Sequence, residues 1–322
     1  MTQAPDAVVA ATDRLFAPGA PHGLSLALVV QHAGEVVHEQ YGTQPDTPFG
    51  PGGAVDADTT LISWSMAKSI TQAAVGLAVG DGLLDIEAPA PVPEWRGTEK
   101  ESITLLHLLE MRSGLLFVED YVDDAVSHCL EMLYGAGQAD VAGYAASLPL
   151  IHEPGSVWNY SSGTTNIIAR IVGEAVGGGR AMESFLHDRL FGPIGMTSAI
   201  PKFDDAGTFI GSSYVFATAR DFARFGQLYL DDGMVGDVRI LPEGWRDVAR
   251  TQAAFDDEGQ FGYGRQWWLW PEFPGSLACH GYEGQYTIVV PDRDLVVVHL
   301  GKSPVETRQA LRDELTAVIQ AF

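Results

Sequence analysis

Positive charge is scarce in this chain: 19 lysines and arginines stand against 42 aspartates and glutamates in 322 residues, a formal net charge of −23. Nucleic acid and anionic membrane surfaces both need clustered cations, so neither is expected as a partner. Cysteine is scarcer still. Cys129 and Cys279 lie far apart, give no metal-ligand spacing, and nothing requires a bridge between them. No apolar run is long and uninterrupted enough to span a bilayer, and Met1 to Asp6 lacks the basic and apolar segments of a signal peptide. A cytoplasmic protein is the expectation. Motifs are missing too. There is no H-E-x-x-H and no G-x-S-x-G, and Gly301-Lys302-Ser303 lacks the first glycine of a phosphate loop because Val296 stands there. No metal or organic cofactor is expected.

What the chain does have is one misplaced lysine. It holds only four, and Lys68 is the sole charge between Asp58 and Asp81. Around it, Ser65 to Val79 reads as one buried helix, stopped by Asp81-Gly82. Helical spacing puts Lys68 one turn above Ser65 on the same face. A buried ammonium must find partners or lose its proton, and a lysine of lowered pKa beside a serine hydroxyl makes a nucleophile. Taken alone, a lysine snorkelling out of a core helix is the commoner explanation.

The ends of the chain read as strands and its middle as helices. Leu24–Gln31 and Glu35–Tyr41 form one hairpin; Tyr286–Val290 and Leu295–Leu300 form another around Pro291-Asp292-Arg293-Asp294. Gly262 to Trp270 is aromatic and strand-like. From Ser113-Gly114-Leu115 to about Glu183 the periodicity is mostly helical, and Val305 to Phe322 closes the chain as an amphipathic helix. The fold expected is α/β (α+β): an antiparallel sheet built from both termini and flanked by helices, with an inserted mainly helical domain. The boundaries drawn are 1–80 with 210–322 for the α/β part, and 81–209 for the insertion.

Two further stretches carry chemistry-bearing residues. Pro154-Gly155 and Ser161-Ser162-Gly163 bracket a tight loop holding Trp158 and Tyr160. A tyrosine held near a lysine has its pKa lowered and can pass a proton, although a simply packed turn explains the same residues. Cys279-His280-Gly281-Tyr282-Glu283-Gly284-Gln285 precedes a strand. Its glycines permit close backbone approach, and an N–H there, paired with that of Ser65, would form an oxyanion hole. His280 is a core histidine, a substrate contact or a proton relay on sequence alone.

Ser65-x-x-Lys68, Tyr160-x-Ser162 and the glycine-bearing stretch near 280 come in the order seen in the serine β-lactamase/penicillin-binding-protein superfamily. Ser113-Gly114-Leu115, Pro193-Ile194-Gly195-Met196 and Thr218-Ala219-Arg220-Asp221 extend the resemblance over nearly the whole chain. It is most similar to the class C-related branch, with its 6-aminohexanoate-dimer (nylon-oligomer) hydrolases, esterases and D-amino-acid peptidases. The resemblance implies a β-lactamase/transpeptidase-like fold and a serine hydrolase acting on a small amide or ester through an acyl-enzyme on Ser65. Lys68 and Tyr160 would move protons, and Tyr282 would supply an oxyanion N–H. Ser162, His280, Gly281, Trp64 and Trp158 would contact substrate. A non-catalytic penicillin-recognition protein is the remote alternative, and a homo-oligomer is allowed without being demanded. One departure stands out: Cys279-His280-Gly281 occupies the place of the family's K-T-G, so the lysine that pairs with a substrate carboxylate is missing. With Glu119, Asp120, Asp123 and Asp124 beside the cleft by resemblance, an acidic mouth without a cation is expected to favour amines over anions.

Overall fold

The computed structural model describes residues 4–46, 51–121 and 126–322. Asp123 and Asp124 of the acidic run lie outside them. The helices, in chain order, are α1 (Asp6–Leu15), α2 (Ala67–Gly80), α3 (Leu105–Leu109), α4 (His128–Tyr134), α5 (Val141–Ser147), α6 (Ser162–Ala175) and α7 (Arg180–Leu186). After them come α8 (Ala219–Leu230), α9 (Trp245–Arg250) and α10 (Arg308–Gln320). Caps explain several starts. The Thr104 hydroxyl accepts from the His107 N–H while His107 Nδ1 accepts from the Thr104 N–H, a reciprocal cap on α3. Thr218 caps α8 by accepting from Asp221 N. None of the helices among the described residues is long and apolar enough to cross a membrane.

The main sheet draws on both ends of the chain. β1 (Leu24–His32) and β2 (Glu35–Tyr41) come first; β3 (Ala254–Asp256), β4 (Phe261–Tyr263), β5 (Trp268–Leu269), β6 (Leu277–Gly281), β7 (Gln285–Val290) and β8 (Leu295–Lys302) follow much later. Every neighbouring pair is antiparallel, in the order β3-β4-β5-β6-β7-β8-β1-β2. The two ends meet where β1 lies beside β8, Leu24 opposite Lys302 and His32 opposite Leu295. This is the expected antiparallel sheet built from both termini.

Alternation along the central strands feeds two cores. Leu28, Val30, Ile288, Val290, Leu295 and Val297 pack beneath α1 and α10, against Val8, Leu15, Leu315 and Ile319. Val29, Val289, Val296 and Val298 face the other way, toward α2, α8 and the helices beyond. Each such side chain stabilises by about 1.5–3 kcal/mol on burial, which fixes the register because a one-residue slip would exchange the faces.

Two sequence expectations need correction. Gly262–Trp270 is not one strand but the pair β4 and β5, closed by Gly264 N–H donating to Trp267 O at 2.8 Å. Gln266 turns the chain there: its buried amide donates to Leu109 O at 3.1 Å and accepts from the Thr165 hydroxyl at 2.7 Å. The stretch after Gly114 is also less helical than its periodicity predicts, since residues 116–121 run without regular structure along a cleft. Cys129 and Cys279 are both free and buried.

Candidate active site

The turn at Trp64–Met66 is tighter than an α-helix and feeds directly into α2. Trp64 sits at φ 43°, a left-handed conformation costly for a bulky side chain. Surrounding contacts hold it there. Ser63 N–H donates to Val215 O at 2.9 Å, and the Ser63 hydroxyl accepts from Val215 N–H at 3.1 Å. On the other side, β6 closes in. A side chain at Gly281 would come within 2.4 Å of the Ser63 carbonyl oxygen, so only glycine fits. Close approach is thus what this glycine provides, to the nucleophile turn itself.

Lys68 is 2% exposed. Its Nζ lies 3.0 Å from Ser65 Oγ, 2.9 Å from Ser162 Oγ and 3.0 Å from the Ser212 carbonyl. Ser162 opens α6, with Ser161 as its cap. Its N–H and hydroxyl both donate to Glu119, at 2.7 and 2.6 Å. Glu119 also accepts from the Tyr121 hydroxyl at 2.7 Å. Proton counting follows from these partners. Ser162 has committed its hydroxyl hydrogen to Glu119, and a carbonyl has none to give, so both must accept from Nζ. An uncharged amine then has only its lone pair left, and Ser65 is the partner it can relieve of a proton.

Electrostatics agree. Burial pulls the Lys68 pKa below the ordinary lysine value, with Glu119 and Cys129 working against the fall. Burial, followed by Glu119, pushes the Tyr160 phenol far above its usual value, while hydrogen bonding to Ser65 and Trp268 pulls it back in part. Burial thus overturns the lowered phenol pKa expected from the sequence, and Tyr160 is a neutral phenol beside Lys68. Aromatic rings fix it: Trp268 and Tyr263 lie 5.3 and 5.8 Å from its ring, and Lys68 Nζ is 5.0 Å from its centroid.

A cavity of about 550 Å³ opens on these groups. Ser65, Trp158, Tyr160, His280, Gly281 and Tyr282 line it, as the sequence suggested. Two expected substrate contacts sit elsewhere. Ser162 is buried against Lys68, and the Trp64 indole packs behind Tyr282 and Tyr214, with ring centres 6.0 and 5.9 Å away. His280 stacks on Tyr286 at 4.4 Å, and burial, helped by Arg308 and Arg312, pulls its pKa down to about 3. It is a neutral aromatic wall at any ordinary pH.

The acidic-mouth expectation is only partly met. Glu119 lines the cavity but is turned onto Ser162, and Asp256, Glu258 and Glu283 line it too. Arg308 lines it as well, so the cleft does contain a cation. Tyr121, Trp268 and Arg308 were not singled out as site residues, and Glu119 was expected only as one acid of the cleft mouth. No local pattern announces Trp268 or Arg308, which reach the cleft because β5 pairs with β6 and α10 packs across the sheet on β8. Glu119 had one signal, its place a few residues after the Ser113-Gly114-Leu115 loop.

A serine, a desolvated lysine and a tyrosine gathered at one cavity, beside the end of an interior strand of an antiparallel sheet, define a serine hydrolase. The beta-lactamase family profile matches residues 12–321, and the chain belongs to that family. Among curated relatives, a 6-aminohexanoate-dimer hydrolase of Paenarthrobacter ureafaciens is 29% identical over 299 residues, covering 86% of this chain and 72% of the relative. A solved 6-aminohexanoate-dimer hydrolase-like structure from Bacillus anthracis superposes with a TM-score of 0.78 at 23% identity, covering 92% of this chain and 79% of that one. A family VIII carboxylesterase gives 0.74 at 15% identity, over 100% and 99% of the two chains.

Proposed function

We propose that this enzyme hydrolyses small amides of the ω-amino-acid-oligomer type through an acyl-enzyme on Ser65. The observation that carries the reading is the buried Lys68 Nζ, 3.0 Å from Ser65 Oγ with its other two partners both acceptors. In the first step Ser65 Oγ bonds to the substrate carbonyl carbon and its proton passes to the Lys68 amine. Backbone N–H groups of Ser65 and Tyr282 hold the resulting oxyanion. Tyr160 then donates its phenol proton to the departing amine and is reprotonated from Lys68, as the C–N bond breaks. Water attacks the acyl-enzyme by the same route, and the carbonyl–Oγ bond breaks to restore Ser65.

Substrate choice rests on chemistry and kinship. Trp158, Trp268, Phe261 and Tyr282 give the cavity an apolar lining suited to a carbonyl flanked by methylenes. The amide-hydrolysing relative supports an amide over a β-lactam, as does Cys279-His280-Gly281 in place of a K-T-G lysine. In this reading residues 81–209 are the inserted helical domain, supplying Tyr160 and Ser162. The compartment we assign is the cytoplasm, and a homo-oligomer is the assembly that sedimentation velocity should test. Intact mass after incubation with matched amides, esters and penicillins decides the function. An acyl adduct on wild type, absent from Ser65→Ala, with amides turned over, supports the reading. Turnover confined to esters would make the enzyme a carboxylesterase, and turnover surviving in Ser65→Ala would end the acyl-enzyme assignment.

A further inference from the structure

The turn that presents the Tyr282 N–H has an improbable backbone. Glu283 adopts φ 59°, ψ 27° and Gly284 follows at φ 79°, two consecutive left-handed residues of which one carries a side chain. Such a turn persists only where its surroundings over-determine it. Its three carbonyl oxygens all point to identifiable donors. Gln285 Nε2 lies 3.0 Å from Tyr282 O and 3.2 Å from Glu283 O, and the latter also accepts from Ser303 N–H at 2.9 Å. Gly284 O is 2.7 Å from His299 Nδ1.

Both side chains are buried: Gln285 is 3% exposed and His299 is 0% exposed. Each is anchored in its turn to the sheet. The Gln285 amide pairs with the backbone of Gly301 in β8, donating to its carbonyl at 2.7 Å and accepting from its N–H at 3.1 Å. In that orientation Nε2 faces three carbonyl acceptors with two hydrogens, so one hydrogen is shared, and Glu283 O has the Ser303 N–H besides. His299, also in β8, meets the Ser25 hydroxyl of β1 through Nε2 at 2.9 Å, and His22 lies 3.3 Å beyond. A donor at Nδ1 fixes the neutral tautomer, leaving Nε2 to accept from Ser25.

We propose that Gln285 and His299 are positioning residues that clamp the Tyr282–Gly284 carbonyls and thereby aim the Tyr282 backbone N–H at the oxyanion. The proposal rests on the acyl-enzyme reading above and adds to it a structural origin for one oxyanion donor. Neither side chain is asked to touch substrate. Oxyanion stabilisation is geometric, and a displacement near 1 Å costs about 10²-fold in rate. Releasing the turn should therefore lower the chemical step while leaving ground-state binding nearly unchanged.

The test uses Gln285→Met, which keeps length and burial but removes both polar atoms of the amide, and His299→Gln, which retains a donor. Hydrolysis of a p-nitrophenyl ester is followed, and a fluorophosphonate that phosphonylates Ser65 titrates the competent sites. Expected is a fall in kcat per titrated site of about 10²-fold for Gln285→Met, with KM little changed and phosphonylation slowed in step. His299→Gln should recover much of the rate that His299→Ala loses. A purely structural role would instead reduce the number of titratable sites and leave the rate per site at the wild-type value, which would overturn the proposal. So would an unfolded Gln285→Met together with a His299→Ala that turns over normally per site. Failure of the underlying reading looks different: wild type would escape phosphonylation or Ser65→Ala would keep its turnover, and the proposal would fall with it.

Discussion

The two walls of the cleft are built on opposite principles. On the helical side, the proposed chemistry resides in side chains: Ser65, Lys68, Ser162 and Glu119 exchange hydrogen bonds in a buried network, and Tyr160 joins it through Ser65. On the sheet side it resides in the backbone, where Gly281 and the Tyr282–Gly284 turn present peptide groups whose aim depends on residues behind them. A network of side chains fails when one member is deleted. A backbone wall fails when its support is loosened, with every group that meets the substrate still present.

Breaking the first wall should give the largest effects. Ser65→Ala and Lys68→Ala should each lower kcat/KM by roughly 10⁴–10⁶-fold, and the double variant should be no worse than either, since the groups act as a unit. Near-normal rates in Lys68→Ala at neutral pH would remove the lysine from the mechanism. Tyr160→Phe keeps the ring against Trp268 and removes only the phenol, so a loss of about 10²–10⁴-fold with little change in Tm is expected. An unchanged rate would reduce Tyr160 to packing.

Glu119 sharpens the comparison because it acts through charge. It raises the Lys68 pKa, and only the neutral amine accepts a proton, so activity rises with pH through that pKa. Glu119→Gln should move this rising limb to lower pH; a limb that stays in place would show that Glu119 only braces Ser162. The second wall has its own pH signature, read in stability. Burial holds His299 down to about 4, while the unfolded chain titrates near the ordinary 6.5. Below that value the unfolded state binds the proton and the native state does not, so stability is lost as pH falls from about 6.5 toward 4, by about 3 kcal/mol over the window. In denaturant melts, His299→Gln should flatten this slope, and an unaltered slope would shift the cause to other groups.

The smallest effect expected concerns cleft charge. Asp256, Glu258 and Glu283 outnumber Arg308 along the cavity. An amine-terminated amide should therefore outpace its acetylated twin by a margin that shrinks with salt, as kcat/KM across ionic strength would show. Equal rates throughout would mean that Arg308 balances the acids locally.

Legibility followed the same division. Ser65, Lys68 and Tyr160 could be found because the wall they belong to is written in residue identity, and a lone lysine in an apolar helix is conspicuous. Both terminal hairpins were legible because alternation is a local property. Gln285 was named only as the end of its stretch and His299 not at all, since a glutamine at a strand start and a histidine amid valines look ordinary until the turn they grip is seen. Gly262–Trp270 misled for a related reason: the Gln266 bend answers to Leu109 and Thr165, partners remote in sequence. Ser162 was expected to contact substrate, and its hydroxyl lies instead behind Lys68. Spacing establishes who is near the site, while direction comes from packing.

The pairing of β1 with β8 also sets a timetable for the protein's birth. As the chain leaves the ribosome, the Leu24–Tyr41 hairpin emerges early, and the strand that covers its inner edge is completed only when Lys302 has been made. At ordinary rates of synthesis that interval is on the order of tens of seconds. For all of it the apolar row of β1 has no mate, the kind of open border at which strands of neighbouring nascent chains join. The sheet can close only once β8 has been made, and until then β1 is an open edge for a chaperone to cover.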